Sequence, residues 1–244
     1  MKILSIGNSF SQDAHKWLHK LAKANGIDIE TVNLYIGGCS LERHYTNMTE
    51  DIADYDLEIN GGEATRKISI CEALALENWD VITLQQVSQN SGMPETYEPY
   101  FAALYRYVRE RCPAAQIYLH QTWAYETDST HDGFANYGCD QANMYACIVS
   151  TTEKLAASYG IPVIPVGRVI QALRETVPAF DYAKTGRSLC RDGFHLSLDY
   201  GRYAAAAVWI KTLTGRTITA GKFEDFDPQL MEQIIQTANS VCRN

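Results

Sequence analysis

Residues 6–13, Ile-Gly-Asn-Ser-Phe-Ser-Gln-Asp, decide how the rest of the chain is read. They sit inside MKILSIGNSFSQDAHKWLHKLA (residues 1–22), where the apolar run from Ile3 to Ile6 has the make-up of a buried strand and stops at Gly7. Ala14, Trp17, Leu18, Leu21 and Ala22 then fall on one helical stripe. A strand therefore runs through Gly7-Asn8-Ser9 into a helix. Two readings of Ser9 follow from that position. Ser9 and Gln12 have the S-x-x-Q spacing of a capping box, which satisfies free amides at a helix start. Alternatively, a serine at a strand-to-helix turn has its hydroxyl at the ligand end of a sheet, where backbone amides can stabilise an oxyanion.

The alternation continues outward. Further strands are expected over ETVNLYI (30–36, ending at Gly37-Gly38), DVITLQQ (80–86), QIYLHQ (116–121) and IPVIPV (161–166). Helices are expected over 69–79, 95–112, 135–160, 167–175, 198–215 and 227–243, the third of them stopping on Gly160. Between residues 55 and 69, Asn60-Gly61 separates two short runs, the signal for a tight hairpin, which reads as a surface insertion. No repeat or linker divides the chain, so one domain over 1–244 is expected. Strands alternating with helices imply a parallel sheet covered on both faces. Ligands bind beyond the carboxyl ends of such strands, so polar residues just after strands matter most.

Composition narrows the function. The chain has 244 residues and a formal net charge of -8, which disfavours nucleic acid and anionic membrane surfaces, since both rely on clustered Lys and Arg. No stretch approaches the ~18 apolar residues of a membrane span. Seven cysteines without a C-x-x-C pair suit reduced thiols better than disulfides or zinc. Read as it stands, without a signal peptide, the sequence implies a cytoplasmic protein; a removed leader is the alternative. His15 and His19 have i,i+4 spacing but lack the glutamate of a zinc motif, and no metal or other cofactor is expected.

A serine nucleophile needs a base. CRDGFHLSLDYGRY (190–203) supplies one: Asp192 and His195 are three apart, so in a turn the carboxylate can fix the imidazole tautomer and leave the other nitrogen for a serine. IGNSFS near the amino terminus together with DGFHLS near the carboxyl terminus resembles the SGNH hydrolases, also called GDSL-type esterases and lipases. The likeness spans nearly the whole chain and is to an uncharacterised bacterial branch.

That resemblance implies a flavodoxin-like three-layer α/β/α sandwich with a five-stranded parallel sheet of order 2-1-3-4-5. It implies a Ser9–His195–Asp192 site that needs no metal. By motif, Ser9 matches the serine of the first block, with Asn8 where many relatives carry Asp. Gly38 matches the second-block oxyanion donor, with Gly37 as the alternative. The third block departs from G-x-N-D, reading LQQVSQNSG (84–92). Counting from the strand puts Gln89 at the Asn position; Gln86 resembles the strand-end glutamine of carbohydrate acetylesterases, and Asn90 is a third choice. HQTWAY after the fourth strand brings His120, Gln121, Trp123 and Tyr125 to the ligand end, with His44 after the second, groups that suit a sugar ring or a partly buried loop equally.

The expected activity is a serine esterase acting on small acyl esters, acetyl on carbohydrate foremost. An acyltransferase using the same triad, and an inactive carbohydrate-binding protein of the same fold, are the alternatives. A small-molecule or carbohydrate ester is the expected partner, and the oligomeric state is open.

Overall fold

The computed structural model describes residues 1–219, 221 and 223–242. In chain order the elements are β1 (Lys2–Gly7), α1 (Ser9–Ala24), β2 (Glu30–Tyr35), α2 (Leu41–Thr49), β3 (Tyr55–Ile59), β4 (Ala64–Ile68), α3 (Ile70–Leu74), β5 (Val81–Leu84), α4 (Tyr100–Arg111), β6 (Gln116–His120), α5 (Gln141–Tyr159), β7 (Val163–Ile164), α6 (Val166–Thr176), α7 (Tyr182–Thr185), α8 (Tyr200–Thr214) and α9 (Pro228–Val241). The sheet has seven strands in the order β4-β3-β2-β1-β5-β6-β7. The five strands from β2 to β7 are parallel, in the expected order of a doubly wound sheet.

Side chains of β1 alternate between two cores, as the two-residue period of a strand demands. Ile3 joins a cluster built with α1, α6, α8 and α9, while Leu4 and Ile6 join one built with α2, α3 and α4. The sheet is thus the middle of three layers. The helix α8 is buried almost all round, from Tyr203 to Ile210, because α9 covers the side that α1 does not.

Residues 55–69 depart from expectation. The hairpin forms, with Asn60 and Gly61 at φ 53° and 71°, but it is not a surface insertion. Its strands β3 and β4 pair antiparallel beside β2 and lengthen the sheet from five strands to seven. Tyr55, Leu57 and Glu58 are buried, which a detached insertion could not achieve. Helix boundaries also shift. The helix α4 begins only at Tyr100, because Pro99 disfavours helical geometry at Glu98. Positive φ at Gly138 and Cys139 holds back α5 until Asp140 caps it through the Asn143 amide. The short α3 ends at Leu74, near where the Trp79 indole donates to the Ala73 carbonyl. No helix among the described residues is long and apolar enough to cross a membrane. All seven cysteines carry free thiols.

Candidate active site

Ser9 is the first residue of α1, where a backbone amide has no intrahelical acceptor. The cap is Asn8, not Ser9. The Asn8 carboxamide oxygen accepts from the Phe10 amide at 3.0 Å, and the Ser11 hydroxyl accepts from the Asn8 amide at 3.1 Å. Gln12, the other member of the expected Ser9–Gln12 box, instead donates to the Glu58 carboxylate on β3. The Ser9 hydroxyl is therefore left free for another partner.

That partner is His195. Its Nδ1 lies 2.7 Å from Asp192 Oδ2 and its Nε2 2.9 Å from Ser9 Oγ. With Nδ1–H donated to the carboxylate, Nε2 accepts from the serine hydroxyl. Burial alone would raise the Asp192 carboxyl, but hydrogen bonds from the His195 ring and from the His195 and Phe194 amides outweigh it and hold it below its ordinary value. The turn that carries the pair is tight: the Arg191 amide donates to the His195 carbonyl at 2.9 Å, and Gly193 takes φ 85°, open to glycine at little cost. Trp123 Nε1 donates to the Phe194 carbonyl at 2.7 Å and the Glu126 amide to the Gly193 carbonyl at 2.7 Å, fixing the turn from the β6 side.

Two further loops meet at the same place. Gly38, at φ 64°, stands at the crest of a turn closed by the Cys39 amide on the Ile36 carbonyl. Asn8 Nδ2 donates to the Cys39 carbonyl at 3.0 Å, and Gln85 Nε2 donates to Asn8 Oδ1 at 2.6 Å. Asn8 thus ties the loops after β1, β2 and β5 together. An aspartate here would have no N–H for Cys39.

The two glutamines differ in what they have left to offer. Gln86 is buried; its oxygen accepts from the Leu41 and Val87 amides and its nitrogen donates to Thr96. Gln89 is half-buried and its oxygen accepts from Ser88, while no hydrogen bond engages its side-chain N–H among the described residues.

The residues expected to contact substrate are placed differently from expectation. His44, Gln121, Trp123 and Tyr125 are all fully buried. His44 meets Tyr55 and Cys39; Gln121 donates to Thr152 and accepts from the Arg168 amide; Trp123 stacks on Phe10 at 4.2 Å; and the Tyr125 hydroxyl meets Ser88. Trp123 and Tyr125 support the site from within, through Phe10 and Phe194, whereas His44 and Gln121 serve the core around them. The wall beside His195 is formed instead by Phe194, with ring centroids 4.2 Å apart, and by His131, 4.8 Å from Phe194. Reading the sequence missed His131, which lies in a polar loop with no spacing signal, and the organising role of Asn8. His15 and His19 diverge, to Ser5 and to the Ile29 carbonyl, and no group of three metal-ligating side chains occurs among the described residues. An apolar cavity of about 560 Å³ lies between Pro94, Tyr97 and the Cys147–Leu155 face of α5, lined by none of Ser9, Asp192 and His195. A polar cavity of about 360 Å³ reaches Asp192 from the side of Tyr182 and Ser188.

A three-layer α/β/α sheet with a serine at the end of its first strand and an Asp-x-x-His turn before a late helix has the fold of the SGNH hydrolases. Residues 2–240 match the family described as a domain of unknown function, DUF4886, and the chain belongs to that family. It is similar to a DUF4886 family protein from Bacteroides uniformis, with 40% identity over 99% of this chain and 94% of that one and a TM-score of 0.91. The fold is shared with an inferred SGNH hydrolase from Slackia heliotrinireducens (23% identity, 87% of this chain and 98% of that one, TM-score 0.58). It is shared too with an acetylxylan esterase from Geobacillus stearothermophilus (15%, 86% and 92%, TM-score 0.53). No curated protein matches the chain.

Proposed function

We propose that the chain is a serine esterase that hydrolyses small acyl esters, acetyl groups on carbohydrate in particular. The observation that carries this reading is the continuous contact from Asp192 through His195 to Ser9, at 2.7 and 2.9 Å. His195 Nε2 takes the Ser9 proton as Oγ attacks the ester carbonyl, and Asp192 stabilises the imidazolium that forms. The amides of Ser9 and Gly38 and the Gln89 side-chain N–H donate to the oxyanion. Collapse of the tetrahedral intermediate breaks the bond to the alcohol, which leaves with the proton from His195. Water, deprotonated by the same nitrogen, then attacks the acyl-serine; the acid departs and Ser9 regains its proton.

A short acyl group is favoured because the apolar cavity is lined by none of these three residues, so a long chain held there would not lead to the nucleophile. Phe194 is half-buried beside His195, and the part of its ring left open suits the apolar face of a sugar ring. The acetylxylan esterase of the same fold acts on a substrate of this class. The test is hydrolysis of p-nitrophenyl acetate and of acetylated sugars by wild type and by Ser9→Ala. Loss of turnover in Ser9→Ala with an unchanged circular dichroism spectrum is expected. Equal rates in the two proteins would overturn the reading.

A further inference from the structure

Asp13 lies one helical turn along α1 from Ser9, so the two side chains leave the same face of the helix. Ser9 reaches His195, and Asp13 reaches the residue that follows it. The Asp13 carboxylate has no exposed surface. It accepts from the Leu196 amide at 2.8 Å, from Arg191 Nη1 at 3.0 Å on each oxygen, and from Arg202 Nε at 2.7 Å. Arg191 Nη1 also donates to the Leu196 carbonyl, which closes the base of the turn. Arg191 and Leu196 are the two residues that bracket the Asp192–His195 segment. Both are held by one carboxylate on the helix that presents Ser9, and Arg202 anchors that carboxylate to α8.

A buried carboxylate with two guanidinium partners is an expensive way to fill space, and apolar residues often fill it as well or better. What the ionic arrangement adds is direction: three contacts hold the turn against sliding along α1, and the Arg202 contact fixes the carboxylate that makes them. None of them touches the reacting atoms.

We propose that Asp13 is a positioning residue, which sets the register between α1 and the Arg191–Leu196 turn and so the distance from Ser9 Oγ to His195 Nε2. This rests on the serine-esterase reading, because only then does that distance govern a rate. A displacement near 1 Å at a reacting pair costs on the order of 100-fold.

Two variants test it. Asp13→Asn keeps the size but turns an acceptor toward the guanidinium groups into a donor. Arg191→Gln releases the Arg191 end of the turn while leaving Asp13 paired with Arg202 and the Leu196 amide, and it serves where Asp13→Asn does not fold. Each is compared with wild type and Ser9→Ala for melting temperature, for labelling rate by a fluorophosphonate, for kcat and KM on p-nitrophenyl acetate, and for the low-field proton resonance of His195 Nδ1–H. In labelling, Ser9 Oγ bonds to phosphorus, fluoride leaves, and the serine proton passes to His195.

Wild type is expected to label and Ser9→Ala is not. The folded variants are expected to label and turn over about 10- to 100-fold more slowly with KM little changed and the resonance moved or broadened. A folded variant with a lowered melting temperature but wild-type labelling and an unmoved resonance overturns the positioning role and leaves the esterase reading intact. Absence of labelling in wild type overturns the esterase reading itself, and the positioning role with it.

Discussion

Ser9 is available for chemistry because Asn8 does the work of a helix cap. A single carboxamide satisfies the Phe10 amide, takes a hydrogen bond from Gln85 and donates to the Cys39 carbonyl, so three loops close around one side chain. The same accounting separates the two glutamines. Gln86 spends its whole carboxamide on the backbone and Thr96, and Gln86→Ala strands the buried Leu41 and Val87 amides. It should lower stability by about 1–3 kcal/mol per amide left without a partner. Gln89→Ala removes an N–H, and the buried Ser88 hydroxyl that bonds the Gln89 oxygen keeps Tyr125 as a partner. It should leave the melting temperature nearly unchanged and reduce kcat by about 10²–10³, the cost of one oxyanion donor. Steady-state kinetics beside thermal melts decide the matter, and a large kcat loss confined to Gln86→Ala would reverse the assignment. Ser9 was legible as the residue that follows a strand and Asp192–His195 as a local pair, whereas their meeting across 186 positions was implied by the resemblance and not by spacing. The burial of His44, Gln121, Trp123 and Tyr125 was not, since loop residues after a strand face either the ligand or the core depending on what packs above them.

Among the elements, the hairpin of β3 and β4 is tied to α1. A Cβ on Gly61 would lie 2.7 Å from the Lys16 carbonyl and 2.8 Å from that of His15, and Gly61 also holds φ 71°. Lys16 Nζ donates back to the Gly61 carbonyl at 2.9 Å. Gly61→Ala meets rigid backbone as well as an unfavourable φ, and the expected cost is about 1–3 kcal/mol, read as a lower midpoint in urea. A midpoint equal to wild type would mean that the hairpin docks less tightly than its contacts indicate. Asn60-Gly61 announced the turn, since positive φ has a local chemical signature. Nothing local told that the hairpin joins the sheet, because edge pairing depends on β2 lying alongside.

Across the molecule, His15, His44 and His120 are buried and uncharged. Burial depresses each to about 3, with Arg43 adding to the effect at His44 and His15 at His120. Unfolded, a histidine takes its proton near pH 6.5. Between about pH 3 and 6.5 the unfolded chain therefore binds more protons than the folded one, and stability falls as pH drops through that window and is complete above it. Each such histidine contributes a slope approaching about 1.4 kcal/mol per pH unit there. The melting temperature should be flat above pH 7 and fall steeply toward pH 4. His15→Gln, which can still meet Ser5, should make the acid limb shallower; a melting temperature constant from pH 7 to 4 would contradict the assignment.

The order of strands and helices apart from α2 and α7, the strand-to-helix turn at Ser9 and the Asp192–His195 pair were all determined by the sequence itself, because each depends on residues within a few positions of one another. Tertiary structure alone decided that β3 and β4 extend the sheet, that Asn8 meets Cys39 and Gln85, and that Asp13 grips Arg191, Leu196 and Arg202. Those outcomes join residues up to 189 positions apart. No local periodicity or spacing records which distant segments will be brought together, and only the packing of helices onto both faces of the sheet does so.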